Sequence, residues 1–396
     1  MSTLIAPSDE AGIIAAVQAA RAAREPLAIE GQGSKRGLLR PVQAARNLST
    51  RALTGVTLYR PAELIISARA GTPLAEIEAT VAEKGQQLIA ESPYLNGVFG
   101  TSAPPSIGGV VAANLSGPRR IAWGATRDHV MGLRFINGAG EAIRSGGRVL
   151  KNVTGLDLCK LLSGSYGTLG VITEVTLKVL PAPETSATLL IEAPDLASAV
   201  AALSAGLGSP FGVSAAAALP AQDHAVAALR LEDFAASVAY RMEKLRAMLD
   251  SFGAQRVLQD GESRAFWRSV REVELLNLSP NEALWRVSVR PSGGPHIAAA
   301  ASAIGGRAIL DWGGGLVWVT AEPSISNHTA ISAAVKSQGG TATIFRAPDA
   351  LRLAVPVLPE TNIALGRIEK RVKDALDPLG LFNPGHFRPM GSSLVT

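Results

Sequence analysis

The sequence predicts an α+β protein, with an α/β region first, an α+β domain second and a helical tail. Three observations predict it. Helix-period and strand-period segments alternate up to about residue 90. From Val130 to Val179 the signals are mostly strand, and Pro181 and Pro183 then interrupt the chain. Beyond the prolines, strands and helices mix without the strict alternation of a parallel sheet. The expected divisions are 1–183, 184–350 and 351–396.

In chain order, Glu10 to Ala23 carries Ile13, Ile14 and Val17 at helical spacing, Pro26 breaks the helix, and Leu27–Ile29 reads as a short strand. A glycine-bearing turn follows at Gly31–Lys35. Next come a strand at Leu64–Ala68, a helix at Pro73–Lys84 with proline at its start, and a strand near Gln87–Ile89. Leu133–Ile136, the turn Asn137–Gly140 and the alternating run Val171–Val179 read as strand, hairpin and strand. The second domain is expected to hold strands at Thr188–Ile191, Val213–Leu219, Trp285–Val289, Leu316–Thr320 and Thr341–Phe345. Its helices are expected near Leu196–Ala205, Phe234–Phe252 and Ser326–Ser337. The tail reads as a helix over Asn362–Leu376 and then a turn at Leu381–Gly385.

Composition narrows the function classes. The formal net charge of +5 is spread over 396 residues, so nucleic acid is not an expected partner. Cys159 is the only cysteine, which rules out an intrachain disulfide or an iron–sulfur cluster held by this chain's own thiolates. The start of the chain lacks a basic n-region, and a cytoplasmic location is expected. Leu196–Gln222 carries no charge, but Gly206, Gly208 and Pro210 divide it into a helix, a turn and a strand of a buried core, so no transmembrane segment is expected.

Four glycine-bearing motifs could carry chemistry. Gly97 to Gly170 holds 15 of the 40 glycines, so loops there bend tightly or approach a ligand. Upstream of that stretch, the first motif, Gly31-Gln32-Gly33-Ser34-Lys35, follows a strand and offers backbone N–H groups, a hydroxyl and a cation, as a diphosphate requires. It is neither a GxGxxG fingerprint nor a Walker loop, and alone it reads more readily as a tight turn. Ser106, Gly108 and Gly109 open a small-residue helix running to Asn114. Trp123–Asp128 contains Gly124 and Arg127. Lys151–Asp157 is followed by Gly164, Gly167 and Gly170, an irregular loop before Val171 and Ile172.

Taken as an ordered set, these motifs resemble the FAD-binding domain of the vanillyl-alcohol oxidase and para-cresol methylhydroxylase (PCMH) type over roughly Glu10–Pro183. The resemblance implies two α/β subdomains plus an α+β cap. The ending Phe382-Asn383-Pro384-Gly385 is similar to that family's FNPG terminus, so the tail is expected to return to the FAD domain. By resemblance, Gly31–Lys35 holds the pyrophosphate, Ser106–Asn114 wraps the diphosphate and flavin, Val171-Ile172 lies by the adenine, and Asn383 approaches the flavin ring. Gly124, Arg127, Gly164, Gly167 and Gly170 complete the expected contacts.

Within the family, Ser116–Arg120, Lys151–Asp157 and Leu162–Gly170 look most like the FAD-binding subunits of bacterial glycolate oxidases. That implies oxidation of a small 2-hydroxy acid beside a second FAD-binding subunit and an iron–sulfur subunit, with peripheral attachment to the inner membrane through the complex. The pyrophosphate loop has neither His nor Cys, so FAD is expected to be noncovalent. The five histidines are scattered singly, and no metal site is expected. Arg268, Arg286, Arg290 and Arg346 are candidates for a substrate carboxylate, though none sits in a motif. Two alternatives stay open: a self-sufficient FAD oxidoreductase for another 2-hydroxy acid or alcohol, and a structural subunit that FAD only stabilises. Gly33→Asp is expected to repel the diphosphate.

Overall fold

The computed structural model describes residues 3–147 and 156–389. Lys151–Gly155 therefore lies outside the described residues. The chain separates into two compact units, one of Met1–Leu115, Ala125–Ala182 and Glu360–Thr396, the other of Ser116–Gly124 and Pro183–Pro359. Sequence order placed Ser116–Gly124 in the first domain and residues 351–359 in the tail. Both pack with the second unit: Arg119, Arg120 and Gly117 find their partners there, and Val357 O accepts from the Ile344 N–H of that unit's sheet at 2.9 Å.

The first unit has two layers. In the smaller, β1 (Thr3–Ile5), α1 (Glu10–Ala23), β2 (Leu27–Glu30) and β3 (Arg46–Ser49) form a parallel sheet of order β1-β3-β2. Asp9 caps α1 by accepting from the Gly12 N–H at 2.8 Å, and Ile13, Val17 and Ala20 form its buried face. In the larger layer, β4 (Val56–Arg60), β5 (Ile65–Arg69), α2 (Leu74–Ala82), β6 (Gln86–Leu88), α3 (Asn96–Phe99), α4 (Ile107–Ala113), β7 (Val130–Ile136), β8 (Ala142–Gly146) and β9 (Val171–Pro181) follow. Its sheet runs β4-β5-β9-β7-β8, antiparallel throughout, with β6 on the far end of β9.

Strand alternation lets β7 and β9 serve both layers. Ile136 and Val171 enter the core of α1, β2 and β3, while their neighbours Phe135 and Ile172 enter the core under α2 and α4. The tail joins the smaller layer. The Leu27 N–H donates to Leu381 O at 2.8 Å, the Asn383 N–H donates to Leu27 O at 3.0 Å, and Phe382 is fully buried beside Leu27.

The second unit is an antiparallel eight-stranded sheet of order Ala254–Gln259, Thr185–Ala193, Ala225–Asp233, Ala215–Pro220, Arg307–Asp311, Leu316–Ala321, Ala283–Ser288 and Thr341–Arg346. Helices Leu196–Leu207 and Gly294–Ala303 cover the face that carries Leu229 and Leu310, where Gly206 and Gly294 let them approach closely. On the opposite face, helix Asp260–Arg271 lays Trp267 against Thr188, with an indole N–H donated to Thr188 Oγ1 at 2.8 Å. The uncharged stretch Leu196–Gln222 is a helix, a turn and the strand Ala215–Pro220. No helix among the described residues is long and apolar enough to cross a membrane.

A buried charge cluster ties Ser116–Gly124 into this unit. Arg119 donates a bidentate pair to Glu232 at 2.7 and 3.0 Å, and Arg230 Nε lies 3.2 Å from the same carboxylate. Burial alone would push the Glu232 carboxyl up, but Arg230 and Arg119 overcome it and hold its pKa down to about 2. Because the folded value lies below the ordinary 4.5, the stabilisation is present above that pH and is lost as pH falls through 2. Its size is about 3 kcal/mol. Glu232→Gln is therefore expected to lower the unfolding free energy by ~3–5 kcal/mol, since two buried guanidiniums then face a neutral amide. Urea unfolding at neutral pH reads this, and the variant's extra instability relative to wild type should shrink at pH 2.

Candidate functional site

Four turns of the first unit meet at one place. The Gly31–Lys35 turn leaves β2 and is held from behind, where the Ser49 hydroxyl donates to Gly31 O at 2.7 Å and the Gln32 side-chain amide donates to Gly71 O at 2.9 Å. Its front lies against the start of α4. A Cβ added to Gly31 would fall 2.1 Å from Ser106 Oγ and 3.9 Å from the Gly109 nitrogen. Only glycine allows that approach. Ser106 is buried and caps α4 by accepting from the Gly109 N–H at 3.4 Å.

The Gly164–Gly170 loop lies along the other end of α4. The Gly164 N–H donates to Val111 O at 3.2 Å and the Tyr166 N–H to Ala112 O at 2.8 Å. Asn114, in the left-handed region at φ 50°, ends the helix and accepts from the Arg127 N–H at 3.0 Å. The Arg127 side chain itself is half exposed. Asn383 closes the ring. It accepts from the Ile29 N–H at 2.6 Å and donates to Tyr166 O at 2.7 Å, and a Cβ on Gly167 would meet its amide nitrogen at 2.9 Å. Gly31, Ser106, Gly109, Asn114, Gly164, Gly167 and Asn383 are thus one structure.

Lys373 locks this junction from the tail helix Ile363–Leu376. Its ammonium donates to Thr168 O at 2.5 Å, Asp377 Oδ2 at 2.6 Å and Phe382 O at 3.1 Å, while Asp377 accepts from the N–H groups of Leu381 and Phe382. Burial pushes the Lys373 ammonium below its ordinary value, and Asp377 pulls the other way. Sequence reasoning missed this pair. The signal available was Lys-x-x-x-Asp at the end of a helix, just before a turn.

Several expected residues sit differently. The side chains of Val171 and Ile172 are buried in the two hydrophobic cores, so only their backbone is on offer to a ligand. Asn383 spends its amide on Ile29 and Tyr166, which makes it the clasp of the ring. Gly170 packs against Phe135. Gly124 belongs to the second unit. Among the arginines of that unit, Arg346 donates to the carbonyls of Ser279 and Pro280, Arg290 is exposed and lies 3.5 Å from Gln338 Oε1, and Arg268 is exposed. Arg286 alone of the four stands over indole rings, those of Trp312 and Trp318.

The ring also contains a group with unfilled bonding capacity. Ser165, only 5% exposed and lying between Gly164 and Gly167, has a hydroxyl with no hydrogen-bond partner among the described residues. A buried orphan of this kind fits a bound polar ligand. With Ser34, Lys35 and the backbone N–H groups of the Gly31 turn, it gives hydroxyls, a cation and amides suited to a diphosphate and a polar ring edge.

Comparison with known proteins supplies the family. Residues 1–146 match the family model described as FAD binding domain. Glycolate oxidase subunit GlcE of Escherichia coli (strain K12) is 38% identical over 366 residues, which is 91% of this chain and 92% of that one. The chain belongs to the GlcE family. Glycolate oxidase subunit GlcD of Bacillus subtilis (strain 168) is 47% identical over only 85 residues, 22% of this chain and 18% of that one. Among solved structures, 4-ethylphenol oxidase from Gulosibacter chungangensis superposes with a TM-score of 0.75 at 15% identity, over 98% of this chain and 89% of that one. That similarity shows the fold, a PCMH-type FAD-binding region with a separate β-sheet cap. As a GlcE-family chain with this domain, the protein is an FAD-binding oxidoreductase, and its Gly31–Lys35 turn holds no His or Cys to which flavin could be attached.

Proposed function

We propose that this chain is the FAD-binding subunit of a glycolate-oxidising complex, which converts glycolate to glyoxylate together with a second FAD-binding subunit and an iron–sulfur subunit. The observation that carries the reading is the closed ring of Gly31, Ser106, Gly164–Gly167 and Asn383 in a chain that matches a glycolate oxidase subunit along nearly its whole length. Gly31–Lys35, Ser106, Gly109 and Ser165 would hold the dinucleotide. Bound FAD supplies the hydride acceptor that no side chain can provide. The protein's own part is to fix the turn spacing through Asn383 and Lys373 and to offer donors to the diphosphate.

The sole thiol, Cys159, is buried, and burial pushes it up from its ordinary pKa, so it is an inert core residue. Iron–sulfur electron transfer therefore requires a companion chain. A peripheral position at the inner membrane belongs to this proposal and would come from the assembly.

The purified chain is expected to be yellow, and acid precipitation should release all of the pigment to the supernatant. Pigment retained in the pellet would show a covalent link. Glycolate turnover with an artificial acceptor should be slow for the chain alone and restored when its companions are added. Vigorous turnover by the chain alone would make it self-sufficient.

A further inference from the structure

We propose that the outer face of the tail helix Ile363–Leu376 lies on an anionic lipid surface, so that this chain touches a membrane itself and not only through companion chains. This goes beyond the functional reading above and holds whether or not the ring binds flavin. The helix belongs wholly to the first unit.

Two residues seven positions apart set its inner side. Gly366 is the one buried residue of the helix, and Lys373 sends its ammonium inward to Thr168 O, Asp377 and Phe382 O. At about 3.6 residues per turn, positions 365, 368, 372 and 375 lie above one another, on average about a third of a turn from that side. They hold Leu365, Ile368, Val372 and Ala375, an apolar stripe at helical spacing. A helix that turned such a stripe to a core would bury it. Here Leu365 is 52% and Ile368 55% exposed.

The charges beside the stripe decide what covers it. Six of the fourteen residues are charged, so the helix is too short and too polar to span a bilayer and has the character of one that lies in the interface. Its two carboxylates are already neutralised, Asp374 by Lys370 at 2.6 Å and Glu369 by Arg388 at 2.9 Å. Arg367 and Arg371, four positions apart along one border of the stripe, are exposed and have no ion pair among the described residues. The uncompensated charge is therefore positive, and it stands beside exposed leucine and isoleucine. A layer of anionic headgroups satisfies both, with phosphates for the guanidiniums and the acyl boundary for the apolar side chains. A stable subunit interface takes about 20–30 residues a side, far more than this narrow stripe presents.

Flotation of the full chain with lipid vesicles is the test. The wild type is expected to rise with phosphatidylcholine vesicles that contain phosphatidylglycerol, to stay behind with phosphatidylcholine alone, and to detach as salt is raised. Arg367→Gln and Arg371→Gln should each weaken binding about fivefold, and Ile368→Glu at least about tenfold. Arg367→Lys should bind as wild type, because the headgroups read charge. None of these residues is among those that form the ring, so flavin content and the urea midpoint should match wild type. Circular dichroism checks folding, and the arginine variants decide the matter if Ile368→Glu does not fold. A wild type that ignores anionic vesicles, equal binding to neutral ones, or wild-type binding by the folded Gln and Glu variants overturns the proposal. Capture of companion chains that Ile368→Glu abolishes, with vesicles left unbound, also overturns it and assigns the face to a protein. A chain that floats with anionic vesicles but takes up no FAD refutes the flavin reading alone.

Discussion

Gly31→Asp should empty the flavin site, because its Cβ would force the turn and the buried Ser106 apart. The new carboxylate would project to where a Cβ falls within 2.1 Å of Ser106 Oγ and 3.9 Å of the Gly109 nitrogen, so it occupies the donors meant for a diphosphate and repels that diphosphate by charge. The expected loss is on the order of 100-fold in FAD affinity, read as the ratio of flavin to protein absorbance after gel filtration and by titration of the apoprotein. Ser106→Ala removes only the helix cap and should weaken FAD a few-fold. The sequence points at Gly33 for this experiment, but a Cβ on Gly33 would meet at 3.1 Å the Arg36 guanidinium already paired with Glu30, so that substitution would disturb an ion pair as well as the turn. Full flavin content in the Gly31 variant would remove this turn from the site.

The second large effect is expected at Asn383. Its side chain satisfies the Ile29 N–H and Tyr166 O, and its backbone sits in the left-handed region at φ 46°, which asparagine tolerates better than most residues. Asn383→Leu leaves two buried backbone groups unsatisfied and strains the turn, for a loss of about 3–5 kcal/mol. The urea midpoint should fall and FAD should dissociate at lower denaturant than in wild type. Asn383→Asp keeps the acceptor for Ile29 but sets an anion against Tyr166 O, so it should lose flavin as well. An unchanged urea midpoint in both variants would show that the clasp carries no stability.

What the sequence made legible follows from local physics. Helix Glu10–Ala23 announces itself through Ile13, Ile14 and Val17, and β9 through its alternation, because one buried face imposes a period on the residues. Strand Arg46–Ser49 carries Arg and Asn at its start and strand Ala225–Asp233 is buried on both faces, so neither shows a clear period and both escaped; helix Asp260–Arg271 escaped as well, although Ser263, Trp267 and Val270 recur on one face at helical spacing, because charged residues fill much of the rest of it. In the site, glycines mark the turns. Ser165 and Lys373 were invisible because an orphan hydroxyl and a three-way ammonium bond exist only after residues far apart in the chain have met. Likewise, Ser116–Gly124 reads as part of the first domain until Arg119 is seen to find Glu232, 113 residues away.

The pairing of Leu27 with Phe382 has a further consequence for how the molecule is made. The second strand emerges from the ribosome early, yet the segment that covers it is translated more than 350 positions later, after the whole cap. Until that segment has been made, the nascent chain carries an open hydrophobic edge, and the ring that would receive the coenzyme lacks its clasp. A transcript with a premature stop anywhere ahead of Leu381 should yield a product that chaperones retain and proteases clear, even with every glycine turn intact.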